Sequence, residues 1–473
     1  MENSRLLELL RSFTPVELTA FGKFLRSPFF NHREDIIRLF DYFFTKKAAR
    51  QTRVFEKEKV FRAIFSEEDF DEKKLNHTLS FLYQAAQGFL VFKDVMATGN
   101  EPEFYLRLAR MLRTRSLERQ SKTALQKGEL ALAHQPYRNN EYHRQAYLLH
   151  LERYESEARQ QRAAALSFQE MASESDLHFM TGKLRQGCMA HLYKAVSKAN
   201  YRLDLLDEVL ELVAKRQLQT LPAIGIYYFA YRALTEADSL LWYEQLREAM
   251  VLHFRHFPKE EMRDIYTLAV NYCIRQSNTR QSTEAPEFYL RQLFGLYEEG
   301  LENGVFLEDG VLSRFTYKNI AHAGLGLNAF DWVENFLNAY KEALLPKHRE
   351  SAYCYNLASL HFRRSNYGKV LELLTQTEFD DVLHQLDARR MLLRSYYELG
   401  EFSALDSLLD SFESFLRRRR DVGYLRENYL HLIRLTKKRL QIPAGDLEAR
   451  ERLRAEVLGQ KALAERAWLL TKI

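Results

Sequence analysis

The sequence predicts an all-α chain: an N-terminal helical subdomain, then a right-handed solenoid of paired helices, then a C-terminal capping helix. Three observations carry this. The 473 residues include only 9 prolines, and Pro15, Pro28, Pro102, Pro136, Pro222, Pro258, Pro286, Pro346 and Pro443 fall at plausible helix ends. A proline inside a helix costs about 3 kcal/mol, so such placement favours helices throughout. No sustained apolar–polar alternation bounded by Asn-Gly or Asp-Gly marks a strand pair. Finally, one pattern recurs: Ile320-Ala321, Phe330, Val333, Leu337; Leu357-Ala358, Tyr367, Val370, Leu374; Leu392-Leu393, Phe402, Leu405, Leu409. The units are offset by 37 and then 35 residues.

From the N-terminus, Thr14-Pro15-Val16-Glu17 is a helix start: Thr caps, Pro takes the first position and Glu reaches back to the cap. That helix stops before Ser27-Pro28. Asn31, with Glu34 three on, starts the next, which carries Ile36, Leu39, Phe40 and Phe43. A basic loop (Lys46, Lys47, Arg50, Arg53) leads to a short helix with Val60, Phe61 and Ile64. Asp71 then caps a long helix bearing Leu75, Leu79, Leu82 and Ala86. Residues 1–95 therefore form a helical bundle.

Residues 96–310 read as amphipathic helices with degenerate repeat spacing. Met189-Ala190 with Tyr193 and Tyr201 makes one unit. Ala233-Leu234 with Tyr243, Leu246 and Met250 makes a second, and Leu268-Ala269 with Tyr272 opens a third. The polar stretch from Ser277 to Ala285 is an inserted turn. In residues 311–443 each unit is a helix, a short turn (Asn328-Ala-Phe330, Asn366-Tyr367, Gly400-Glu-Phe402) and a second helix opened by the aromatic. This resembles the tetratricopeptide repeat, whose unit is about 34 residues. Ala321 and Ala358 match its small first-helix position, and Tyr396 its aromatic; Leu393, Gly324 and His361 depart from it. Residues 444–473 form the capping helix, from Asp446 through Leu453 and Val457 to Trp468.

Both ends resemble an uncharacterised bacterial all-helical family. The carriers are Phe24-Leu25-x-Ser27-Pro28-Phe29-Phe30-Asn31, Phe55-x-Lys57-Glu58-x-Val60-Phe61, Leu79-Ser80-Phe81-Leu82 and Trp468-Leu469-Leu470-x-Lys472-Ile473. The resemblance implies a helical, repeat-containing chain and no known activity.

Composition excludes little. The net charge of +5 arises from 69 basic and 64 acidic residues, so it neither demands nor forbids nucleic acid. Cys188, Cys273 and Cys354 are too scattered for a disulfide framework and read as buried thiols of a reducing, cytoplasmic protein. The opening MENSRLLELLRS has charges within its apolar pattern, unlike a signal peptide. No membrane span is expected.

No catalytic, cofactor or metal signature emerges, which predicts a non-enzymatic chain without cofactors. Gly324-Leu-Gly326 lacks a third glycine and a preceding strand. His253 and His256 share a helix face but lack a third ligand. Asp380-Asp381 fits a loop cap better than acid–base chemistry. Arg417 to Arg420 fits a helix C-terminus, where cations interact favourably with the dipole.

The first helices of the C-terminal units should line a concave wall. Lys318 and His322, Tyr355 and Ser359, Arg390 and Arg394 occupy equivalent inner positions, and Asn356 sits one before its pair. Lys318 and Asn356 match, by position, the carboxylate clamp of some tetratricopeptide domains; His322, Asp387 and Met391 do not. Lys318, Asn356, Arg390 and Arg394 are thus the partner-binding candidates. They are expected to be exposed, to face no acidic residue, and to favour an acidic peptide or protein. The alternative is a nucleic-acid-binding regulator, in which Lys73, Lys74 and Asn76 open a recognition helix beside the helix from Lys57.

Overall fold

A computed structural model describes residues 4–45, 56–97, 101–160, 168–197, 201–236, 240–278, 284–379, 381–419, 422–423, 425–443 and 445–473. The basic loop residues Lys46, Lys47, Arg50 and Arg53, together with Asp380, Arg420, Asp421 and residues 279–283 of the polar turn, lie outside this set. The described residues are all-α apart from one minimal hairpin. The chain divides into two compact units, Met1–Pro136 with Asn140–His178, and Tyr137–Asn139 with Phe179–Ile473. The boundary between His178 and Phe179 falls inside one helix.

In the first unit, α1 (Arg5–Ser12), α2 (Pro15–Leu25), α3 (Glu34–Thr45), α4 (Lys57–Ile64) and α5 (Glu72–Ala97) enclose one core. Leu7, Phe21, Leu25, Leu39, Phe61, Leu75 and Leu82 are completely shielded within it. Each such side chain contributes about 1.5–3 kcal/mol by leaving water. The Phe21 ring meets Phe40 and Phe89 at centroid distances of 5.2 and 5.3 Å. Both halves of the Thr14–Glu17 capping box form. Asp71 Oδ1 accepts from the Lys73 and Lys74 amides at 2.8 and 3.1 Å. Asn31 does not cap α3. Its amide donates to the Leu25 and Arg33 carbonyls at 2.8 and 2.9 Å, folding the preceding loop onto itself. A second, smaller core joins α6 (Pro102–Arg113), α7 (Glu118–His134) and α8 (Asn140–Gln160). The helix α9 (Phe168–Ser197) runs from the first unit into the second.

The second unit continues with α10 (Leu206–Arg216), α11 (Pro222–Thr235), α12 (Leu240–Leu252), α13 (Lys259–Asn278) and α14 (Pro286–Glu302). Ala233, Leu234, Tyr243, Leu246 and Met250 are buried between α11 and α12, as their spacing predicted. Met189, Tyr193 and Tyr201 are exposed, so the proposed earlier unit is not built on them. Next comes the hairpin, β1 (Leu307–Glu308) paired antiparallel with β2 (Val311–Leu312). It corrects the expectation of a chain without any sheet. Asp309 and Gly310 both have positive φ, the geometry of a two-residue hairpin turn. Two residues a side are too few to alternate visibly.

Three helical hairpins follow: α15 (Arg314–Gly326) with α16 (Phe330–Ala339), α17 (Pro346–Arg363) with α18 (Tyr367–Thr375), and α19 (Val382–Leu399) with α20 (Phe402–Arg418). All three turn in the same way. Asn328, Ser365 and Gly400 adopt positive φ. The next residue's amide returns to the carbonyl five residues back: Ala329 to Gly324, Asn366 to His361, Glu401 to Tyr396, at 2.8–2.9 Å. This is the Schellman closure, which satisfies otherwise orphaned helix carbonyls. Its offsets are those of the apolar pattern, and α15, α17 and α19 pack on one another in succession. Val333, Leu337, Val370, Leu374, Leu405 and Leu409 are buried. The turn aromatics are only partly enclosed. Tyr367 is half-buried, and Phe402 is 53% exposed, touching Tyr397 edge-on at 6.0 Å.

The chain ends with α21 (Leu425–Gln441), α22 (Leu447–Gly459) and α23 (Arg466–Thr471). The single capping helix expected from Asp446 is thus two, broken between Gly459 and Arg466. Asp446 does cap α22. Leu453, Val457, Trp468 and Leu469 join the core of α19–α21. The three cysteines are free and buried. No described helix is long and apolar enough to cross a membrane.

Candidate functional site

Helical periodicity puts residues three or four apart on one face, and on α15, α17 and α19 that face is polar. Two cavities lie along it. One, about 20 Å³, is lined by Arg314, Lys318, Tyr355, Asn356, Asp381 and His384 among others. The other, about 440 Å³, is lined by His322, Ser359, Phe362, Arg363, Asp387, Arg390, Arg394 and Glu465 among others. The Tyr355 hydroxyl donates to Asp387 Oδ2 at 2.7 Å, at the boundary between them.

The four predicted residues do gather here, in a different state from the one expected. Asn356 is 1% exposed. Its amide donates to the Ala352 carbonyl at 2.7 Å, and its Oδ1 has no partner. Lys318 is half-buried, with its ammonium 5.5 Å from the Tyr355 ring centroid. Arg390 and Arg394 keep only 19% and 26% of their side-chain surface in contact with water. They are not free charges. Arg390 binds Asp387 at 2.7 Å and also Glu465; Arg394 reaches the other Glu465 oxygen at 3.1 Å. Both guanidinium groups stand 5.0 Å from the Phe362 ring centroid.

Burial opposes ionisation of Asp387, but the Arg390 charge and the Arg390 and Tyr355 hydrogen bonds outweigh it and hold its carboxyl below the ordinary value. Arg390 is held protonated despite its burial, chiefly by Asp387. His322 and His384 are pushed below the usual imidazole value, first by burial and then by Lys318. Both are therefore neutral near pH 7. His384 lies against Tyr355, with ring centroids 4.5 Å apart. Asp381 accepts the His384 amide proton at 3.0 Å, the capping role foreseen for it.

The lining residues of the two cavities include five cations, Arg314, Lys318, Arg363, Arg390 and Arg394, against three carboxylates, Asp381, Asp387 and Glu465. Among the described residues Arg314, Lys318 and Arg363 form no ion pair; the Arg314 guanidinium meets His348 Nδ1 at 3.4 Å. Arg314, His384 and Arg363 were not singled out from the sequence, although Arg314, Lys318 and His322 are spaced at four residues on one face. Glu465 carried no local signal except Gly459, which ends α22 ahead of it.

His253 and His256 face each other with Nδ1 atoms 3.2 Å apart. No group of three His, Cys, Asp or Glu among the described residues is arranged to hold a metal ion. In the basic C-terminal stretch, Arg417 pairs with Glu413, Lys437 with Asp410 and Glu413, and Lys438 with Glu456. Near the start of α5, Lys74 pairs with Glu68 and lies over the Phe65 ring, and Lys57 pairs with Glu72.

Comparison with family models, curated proteins and solved structures gives no match to this chain.

Proposed function

We propose that the chain is a non-catalytic protein-interaction scaffold or adaptor whose α15–α17–α19 face receives an acidic peptide segment of a partner protein. In this reading α15–α20 are three tetratricopeptide-like units of a right-handed solenoid, with α21–α23 as its cap, in a cytoplasmic protein. The observation that carries it is the run of polar positions opening onto cavities, with Arg314, Lys318 and Arg363 outside any ion pair among the described residues. An extended peptide fits a groove of helix faces, and an excess of cations selects acidic side chains. The recurring Schellman turns at the repeat offset support the assignment of units. The nucleic-acid alternative is weakened because Lys57 and Lys74, near its intended reading helix, are engaged with Glu72 and Glu68.

The test is fluorescence anisotropy of the full chain with glutamate-rich and lysine-rich peptides of equal length. Binding of the acidic peptide alone is expected, weakened at least tenfold in K318E/R363E. Equal binding of both peptides, or no effect of the double substitution, overturns the proposal.

A further inference from the structure

The end of the chain reaches into the groove, and the manner in which it does so points to a ligand. Glu465 precedes α23 and adopts φ +53°, a left-handed conformation that a residue with a Cβ rarely takes. From there its carboxylate spans Arg390 and Arg394, residues 75 and 71 positions away, placing one oxygen on each guanidinium. The two arginines are one turn apart on α19 and share Phe362 as a support. Together they make a receptor for a single carboxylate, and Glu465 displays its geometry.

The receptor is not saturated. Arg394 Nε is buried without an acceptor. The larger cavity, about 440 Å³, opens beside Glu465 and extends to His322 and Ser359, so a second chain has room to approach the same guanidiniums. The segment that delivers Glu465 is held to α21 at its start by Gln460, which bonds His431 and Arg434, and is closed on itself by Arg466, which donates to the Leu458 and Lys461 carbonyls. Ala464 donates to the Asn428 carbonyl at 3.3 Å, and His431 Nδ1 meets the Ala462 carbonyl at 2.7 Å. The helix behind it is anchored separately, by Trp468 and Lys472 on Glu398 at 2.6 and 2.7 Å. The bond nearest Glu465 is the long one from Ala464, so the Glu465 carboxylate can turn away while the rest of the cap stays docked.

We propose that Arg390 and Arg394 form a carboxylate-binding site occupied by Glu465 in the unliganded chain, and that an acidic side chain of the bound peptide replaces Glu465 there. This rests on the groove reading above and adds to it a competition between the chain's own carboxylate and the partner's. A carboxylate fits better than a phosphate, because Asp387 already holds Arg390 from the other side and would repel a dianion.

The experiment compares the wild-type chain, E465Q and E465Q/R394Q with a labelled glutamate-rich peptide, and separately with inorganic phosphate. Removing the internal competitor should tighten peptide binding by about tenfold, the scale of one charge-assisted hydrogen bond, and adding R394Q should reverse the gain. Equal affinity in wild type and E465Q overturns this proposal while leaving the groove reading intact. No peptide binding by either chain overturns both. An equal gain for phosphate overturns the carboxylate assignment. As a check needing no substitution, hydrogen exchange on the wild-type chain should show faster exchange at residues 463–467 when peptide is bound; unchanged or slower exchange there counts against displacement.

Discussion

Replacing Gly324 with Ala sets helix propensity against packing in the first of the three C-terminal hairpins. In an open helix interior the change stabilises by about 1 kcal/mol. At Gly324 the added methyl would lie 2.5 Å from Val333 Cγ2 and 3.1 Å from Phe294 Cε2. Val333 is completely buried and, being β-branched, cannot rotate away cheaply. Helix α16 must therefore shift, and overpacking of this kind costs about 1–3 kcal/mol. The propensity gain offsets part of that, leaving a net loss of about 1 kcal/mol. Gly295, inside α14 with nothing within 4 Å of its added methyl, is the control and should gain about 0.5–1 kcal/mol. Urea unfolding followed by tryptophan fluorescence suits both variants, because Trp242, Trp332 and Trp468 all belong to the second unit. A Gly324→Ala midpoint at or above wild type would refute the close approach of α15 and α16.

The remaining predictions follow from burial and charge. Leu409→Ala should cost about 2–5 kcal/mol and Phe402→Ala about 1 kcal/mol or less, since Leu409 is fully buried and Phe402 half open; denaturation midpoints in the reverse order would contradict the core assignment. Arg390→Ala should destabilise by about 2–4 kcal/mol because it leaves Asp387 with the Tyr355 hydroxyl but without its cation, and Glu465 with one arginine, and a midpoint unchanged by the substitution would show the network to be solvated. Burial holds His191, His253, His322, His361 and His384 below 6.5 in the folded chain, so the unfolded chain binds more protons there. Their contribution is complete above 6.5 and is lost as pH falls from there towards the folded values. The melting temperature should thus drop between pH 7.5 and 5.5; a flat or rising profile would contradict the burial of these rings.

Local features were legible because local chemistry sets them. Thr14, Pro15 and Glu17 specify their own cap, and Asp71, Asp381 and Asp446 do likewise. The aromatics Phe330, Tyr367 and Phe402 open their helices where the spacing placed them. What escaped notice depends on distant contacts. Phe402 shares its sequence pattern with the half-buried Tyr367 yet is more open, a difference that the local pattern does not encode. The Asp309-Gly310 turn joins strands too short to alternate. Periodicity groups Lys318, Asn356, Arg390 and Arg394 on adjoining helix faces but not their charge partners: Asp387 lies beside Arg390 in the sequence, whereas Glu465 arrives across 71 and 75 residues after a helix break that follows Gly459. With those partners in place, Arg390 and Arg394 are components of a buried network. Arg314, Lys318 and Arg363 are the cations lining these cavities that form no ion pair among the described residues.

The most direct measurement is to locate a bound acidic peptide on the full chain. A glutamate-rich peptide carrying a photoreactive group is irradiated in complex with the protein, and the adducts are mapped by mass spectrometry. The groove account predicts adducts on α15, α17 and α19, around Lys318, Tyr355 and Ser359, lost in K318E/R363E. Adducts confined to the N-terminal helices, or unchanged by the double substitution, would contradict it.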